Sequence, residues 1–313
     1  MNQTEQVTES LSVPSVAAAR MQRLAGEPLV SAGPARGLFK GTMKSLRDLA
    51  AYRELLGLLV RRELKARYKD STLGFLWTLI RPLTILIVYY VAIGKFLGAE
   101  RSIPDFAIYI FTGLIAWQFF SEVVSGGTGS VVGNAGLIKK VYLPREVFPL
   151  SVVGGALFTL ATQFVVLVVA LVVTGSVPTG TRLLYAPLAL AVILVFATAL
   201  ALILSAVNVY LRDVQYLVEI SLTVLFWASP IVYSWELVQG AITSESLQNL
   251  YLSNPVTVAI LAMQRAFWVA GTDQPYPDDL TGRLLIMLAV GLVLLWFAQR
   301  AFARLEANFA QEI

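Results

Sequence analysis

Apolar runs long enough to cross a bilayer recur six times along this chain, at about residues 73–97, 106–125, 148–174, 183–207, 216–233 and 284–302. Inside a hydrocarbon layer roughly 30 Å thick no water pairs with backbone N–H and C=O groups, so a run of about 20 apolar residues reads as a spanning helix. The expected fold class is therefore an all-α polytopic membrane protein with six transmembrane helices. With 57% of 313 residues hydrophobic and 14% charged, no soluble domain of useful size remains. Residues 1–45 are rich in Ser, Thr, Gln, Gly and Pro without apolar periodicity, and read as a mobile cytoplasmic tail that lacks the apolar core of a signal peptide.

The first long run is preceded by a basic amphipathic segment, residues 46–70. Leu49, Tyr52, Leu56, Leu59, Val60 and Leu64 share one helical face, while Arg47, Arg53, Arg61, Arg62, Lys65, Arg67 and Lys69 fill the remainder. A helix too charged to span, with one oily face, is expected to lie along an anionic membrane surface or a partner. Arg81-Pro82 falls within the first span, where proline bends a helix and arginine snorkels to the interface. Between the fifth and sixth spans, residues 251–270 are apolar but interrupted by Pro255, Gln264 and Arg265, which suits short re-entrant outer helices.

Basic residues orient the chain. With the amino terminus inside, 19 Lys and Arg fall on the cytoplasmic side and five (Lys95, Arg101, Arg182, Arg265, Arg283) on the outer side. That asymmetry places both termini in the cytoplasm. The net charge of +4 then describes a face that meets membrane lipids, and nucleic acid is excluded as a partner because no folded surface presents a groove-reading element.

The chain has no Cys and no His, which removes disulfides, thiol nucleophiles, imidazole bases and the usual zinc ligands. No catalytic residue, metal site or cofactor is expected in it. Gly37 to Ser45 superficially resembles a phosphate-binding loop, but the glycine spacing before Lys44-Ser45 is wrong and no strand precedes it. ATP is expected to be hydrolysed elsewhere.

The loop from Gly136 to Leu150 is too apolar for a solvated hairpin and too charged for lipid. Leu137, Ile138, Val141 and Tyr142 make one apolar face of a short helix over 137–146, ringed by Lys139, Lys140 and Arg145. A docking helix for a cytosolic partner accounts for both properties; an interfacial loop on headgroups is the plainer reading.

Taken in order, the run Arg61-Arg62-Glu63-Leu64-Lys65-Ala66-Arg67-Tyr68-Lys69-Asp70-Ser71-Thr72-Leu73-Gly74, then Trp77 and Pro82, then Lys139 to Pro144, resembles the permease subunit of ABC-2 type polysaccharide exporters. Asn208 to Asp213, Ser229-Pro230-Ile231, Asn254-Pro255 and Phe302 to Glu306 extend the resemblance over residues 46–313. It implies a homodimer in the bacterial inner membrane, served by two copies of a nucleotide-binding ATPase subunit that carry ATP and Mg. The cargo it implies is a lipid-linked polysaccharide on an undecaprenyl-type carrier, with galactan or an O-antigen-like glycan as first guess. Leu137, Ile138, Lys139, Lys140, Tyr142 and Arg145 would form the coupling helix, and Arg61, Arg62, Lys65, Arg67 and Lys69 would meet lipid headgroups on the gate helix.

Aromatic rings recur at several membrane depths. Sugar rings pack C–H faces on aromatics while their hydroxyls stay wet, so Tyr89, Tyr90, Trp117, Phe120 and Trp227 are candidates for a glycan path, with interfacial belts and helix packing as the plainer reading. Glu122 and Glu219 are ionisable groups within spans, for which pairing with Arg81 is preferred over substrate contact. The glycines between 126 and 133 permit close helix approach or a hinge, a flexible loop being equally consistent. Asp273, Asp278 and Asp279 resemble metal ligands but suit a solvated turn better.

Three rivals remain. An ABC-2 exporter of drugs or small lipids would share the fold with a more aliphatic lining. A membrane enzyme would need convergent catalytic groups, and a proton-coupled transporter would need midplane charge and inverted repeats.

Overall fold

A computed structural model describes residues 18, 21, 42–43, 47, 49–68, 76–140 and 143–312. The predicted tail, residues 1–45, lies almost wholly outside them. Contacts divide the chain into Met1–Pro34 and Ala35–Ile313, and every element named here belongs to the second unit.

Helices and the turns that join them make up the described residues, which include no strand. In chain order they form α1 (Arg53–Tyr68), α2 (Trp77–Tyr89, continued as a π-helix over Tyr90–Phe96), α3 (Phe106–Gly133), α4 (Ala135–Ile138), α5 (Val147–Val173) and α6 (Tyr185–Tyr210). There follow α7 (Val214–Trp227), α8 (Trp235–Ala241), α9 (Glu245–Tyr251), α10 (Pro255–Phe267), α11 (Leu280–Leu305) and α12 (Phe309–Glu312). Five helical segments, Trp77–Phe96, Phe106–Gly133, Val147–Val173, Gly180–Tyr210 and Leu280–Asn308, are long and apolar enough to cross a membrane. The chain is a polytopic helical membrane protein.

Two expectations need correction. The fifth run is helical only over Val214–Trp227, 14 residues or about 21 Å, which falls short of a hydrocarbon layer of about 30 Å. Beyond Ala228 the chain continues without helix through Pro230, a residue that lacks an N–H and disfavours helix in the residue before it. The second run, expected to end near residue 125, continues as α3 through the glycines to Gly133, 28 residues in all, and of the readings offered for those glycines the structure bears out close helix approach and not a loop. The reason is packing. A Cβ on Gly127 would lie 2.5 Å from the Ala201 Cβ of α6, and one on Gly126 would lie 2.9 Å from a Val152 methyl of α5. Absent side chains let these backbones approach, which is how helices associate where lipid supplies no hydrophobic drive.

α3 is the centre of the bundle. It packs on α5, α6 and α10, and α6 in turn packs on α11. Beside the Gly127 contact, Asn208 of α6 donates through Nδ2 to the Thr128 carbonyl of α3 at 3.1 Å. At one end of α3 the amphipathic helix α1 lies on α5, with Val60 seated where Gly154 offers no side chain, and Arg62 donates to Asn134 Oδ1 at 2.5 Å. At the opposite end, α10 is buried between α3 and α6. Asn254 caps α10 by accepting from the Val256 N–H at 3.0 Å, and Pro255 occupies its first turn.

Candidate functional site

A cleft of about 860 Å³ opens between α2, α3, α5 and α7. α2 contributes Trp77, Thr78, Pro82 and Ile85; α3 contributes Gln118, Ser121, Glu122 and Ser125; α5 contributes Thr159 and Gln163; and α7 contributes Glu219, Leu222 and Thr223. A second hollow of about 690 Å³ shares Glu122 and Ser125 with the first and continues along α3 past Gly126, Gly129, Ser130, Gly133 and Asn134 to Arg62, Glu63 and Ala66 of α1. Together they form a polar passage from the amphipathic helix into the bundle. Nine of the cleft's thirteen lining residues carry a hydroxyl, amide or carboxylate, set among Trp77, Pro82, Ile85 and Leu222, so polar groups and apolar surface share its walls.

The polar side chains are tied to one another. Gln163 Nε2 donates to Gln118 Oε1 at 2.6 Å, joining α5 to α3. Gln215 Nε2 lies 3.1 Å from Glu219 Oε1 on the same helix and 3.4 Å from Ser125 Oγ, joining α7 to α3. Glu219 is thus bonded within its own helix, and Glu122 faces the same cleft. The Arg81 side chain, their expected partner, lies outside the described residues. Gln118, Gln163, Thr159 and Ser125 were not singled out by sequence, although Gln118, Glu122, Ser125 and Gly129 recur at helical spacing.

The cleft ends at rings. Tyr89 of α2 lies 5.8 Å from Phe226 of α7, Trp117 of α3 lies 5.5 Å from the same ring, and Trp227 and Phe120 adjoin at 5.4 and 5.9 Å. Three of the five candidate path aromatics, Tyr89, Trp117 and Trp227, therefore converge on Phe226, and Phe120 joins them through Trp117. Trp117 and Phe120 are buried, so in this conformation they pack in the core, whereas Trp227 is exposed. Tyr90 stands apart, with Lys95 5.3 Å over its ring.

At the α10 end, side chains satisfy the broken backbone after α7. Tyr109 of α3 donates to the Tyr233 carbonyl at 2.6 Å and lies 3.1 Å from that of Pro230, which also accepts from Gln264 Nε2 at 2.8 Å. Arg182 donates to the carbonyls of Arg265 and Trp268, both at 2.8 Å. Arg265 lies 4.7 Å over the Tyr276 ring. Burial pushes the Tyr233, Tyr251 and Tyr276 phenols up from the usual tyrosine value, so all three remain neutral. Gln264 and Arg265, which interrupt the apolar run in sequence, are the groups that hold this region together.

The docking loop differs from expectation. Its helix covers Ala135–Ile138 in place of 137–146, and turns follow because Pro144 and the packing of Leu143 draw the chain back into α5. Ile138 and Leu143 are buried in one cluster with Val131, Val147 and Phe309, while Lys139 and Lys140 are exposed; Val141, like Tyr142, lies outside the described residues. Leu137 is half-buried, and Arg145 lies 5.7 Å over the Phe309 ring. On α1, Arg61, Arg62 and Lys65 are exposed; Arg67 is helical, with its side chain outside the described residues, as is Lys69. Asp279 caps α11, accepting from the Gly282 N–H at 3.1 Å.

Fold and cleft together define a helical membrane protein with a polar interior passage. Residues 54–268 match the ABC-2 type transporter family. The chain is 35% identical over 272 residues to the O-antigen export system permease protein RfbA of Myxococcus xanthus, covering 87% of this chain and 100% of that one. It is 29% identical to the protein of the same name from Klebsiella pneumoniae, over 82% of this chain and 94% of that one. The polysialic acid transport protein KpsM of Escherichia coli is 26% identical over 56% of this chain and 68% of its own. The chain belongs to the ABC-2 type transporter family.

Proposed function

We propose that this chain is the membrane-channel subunit of an ATP-driven exporter that carries a lipid-linked polysaccharide from the cytoplasm across a bacterial inner membrane. The observation that carries this reading is the similarity to O-antigen export permeases, one of them along its entire length. The polar cleft supports it, since amides and hydroxyls suit a hydroxyl-rich chain. An ABC-2 exporter of drugs or small lipids is the second reading, and the similarity to polysaccharide export and transport proteins favours the first.

In this reading both termini face the cytoplasm, α1 lies on the inner leaflet as the gate helix, and the loop from Leu137 to Arg145 engages the ATPase. Two copies of the chain form the pore, with two ATPase subunits beneath supplying ATP and Mg. An undecaprenyl-type carrier with galactan or an O-antigen-like glycan remains our choice of cargo. A polymer too long to be enclosed between two gates requires a continuous channel, loaded at α1 and driven by ATPase closure through the loop.

Affinity capture of the tagged chain from its native membrane, with mass spectrometry of partners and lipid-linked glycans, tests this. An ATPase in equal ratio is expected, lost when Lys139 and Lys140 are changed to Glu and Tyr142 to Ala. Capture without a nucleotide-binding partner sinks the proposal.

A further inference from the structure

α3 is buried almost throughout, yet between positions 118 and 129 it leaves Gln118, Ser121, Glu122, Ser125, Gly126 and Gly129 accessible, and each is polar or glycine. Their spacing of three and four residues puts them on one stripe of the helix. The apolar residues of that segment, Phe119, Phe120, Val123 and Val124, face the core. A helix is sorted this way when one side meets protein and the other meets water or a polar guest, because an unpaired amide or carboxylate against lipid is costly.

The opposing wall matches. Gln163 of α5 is 2% exposed and holds the Gln118 carbonyl oxygen with one amide hydrogen. Amides and hydroxyls of this kind both donate and accept, so they exchange partners with sugar hydroxyls as each residue of a glycan passes, without one fixed charge to trap it. The stripe stops at Trp117, where the rings of α2, α3 and α7 meet on Phe226.

We propose that the α3 stripe from Gln118 to Gly129, faced by Gln163, is the wall along which the glycan moves, and that the rings around Phe226 mark its closed end in this conformation. The inference rests on the polysaccharide-exporter reading. It assigns contact with the sugar to the polar groups of α3, with Glu122 the one carboxylate among them, where sequence suggested aromatic rings.

The chain contains no cysteine, so single thiols report without background. Ser121→Cys and, as a lipid-facing control, Val168→Cys are made in the full chain with its ATPase. Inside-out vesicles are treated with a charged, membrane-impermeant methanethiosulfonate. They are prepared from cells that make their surface glycan and from cells blocked at its first sugar transfer. A thiol in apolar surroundings stays protonated and unreactive, and one pKa unit is a factor of ten, so Ser121→Cys is expected to react at least about tenfold faster than the control. The presence of glycan is expected to slow it severalfold.

Equal rates at positions 121 and 168 overturn the proposal. So does a rate at 121 indifferent to glycan while export continues, and that outcome leaves the exporter reading intact. If no surface polymer depends on the chain at all, the exporter reading fails and takes this inference with it. As a second measurement, Gln118→Leu is expected to lower export severalfold at normal membrane abundance, with Gln118→Asn restoring most of it. An unchanged rate in Gln118→Leu also refutes the assignment.

Discussion

The two sides of α3 are built differently. Toward α6 and α10 it is locked: Gly127 meets Ala201 backbone to backbone, Asn208 reaches the Thr128 carbonyl, and Tyr109 with Gln264 holds the non-helical chain at Pro230. Toward α2 and α7 it is loosely covered. α7 buries only Val218 and Leu222, and every other residue of that helix is partly or fully exposed. Close packing and satisfied polar groups resist change, whereas a helix with two fully buried side chains, a few half-buried ones such as Leu225 and Phe226, and a few amide bonds is held less firmly. The contrast separates a scaffold from a wall, and the cleft lies on the wall's side.

Substitutions at graded depth break or sharpen that contrast. Gly127→Leu drives a side chain into Ala201 and is expected to cost about 3 kcal/mol, the upper range for overpacking, seen as a large loss of thermal stability in detergent micelles. Tyr109→Phe removes the donor to Tyr233 and leaves a buried carbonyl short of a partner, for about 2 kcal/mol in the same assay. Asn208→Ala removes one interhelical bond and is expected to cost about 1 kcal/mol. Thr223→Ala on the cleft side of α7 is expected to stay within about 0.5 kcal/mol of the parent. Should Thr223→Ala melt as low as Tyr109→Phe, α7 is scaffold too and the distinction collapses.

Most of the fold was legible because the bilayer restricts the choices. Long apolar runs gave four of the five long helices within a few residues, α3 running eight residues past its expected end, and the apolar face of α1 was readable in Leu56, Leu59, Val60 and Leu64. What misled was local. The run from Tyr216 to Tyr233 is largely apolar, with Glu219 its one charged residue, and only Ser229-Pro230 signals that its helix ends early, since hydropathy carries no information about backbone direction. The glycines from 126 to 133 disfavour helix locally, and α3 continues through them because Ala201 lies opposite, a contact distant in sequence. For the docking loop, periodicity gave no sign that Ile138 would be buried in a cluster with Phe309, because Phe309 lies far along the chain. The polar stripe was available in the spacing of Gln118, Glu122, Ser125 and Gly129. Attention to charge alone picked out Glu122 and passed over its uncharged neighbours.

The contact between Gly127 and Ala201 also has a mechanical meaning. With only the Ala201 methyl between them, α3 and α6 have almost no side chain in the contact that could yield, and they form one stiff unit. The passage is therefore like a groove cut along a beam, rigid on the side that α6 backs and dependent on lighter members for its cover.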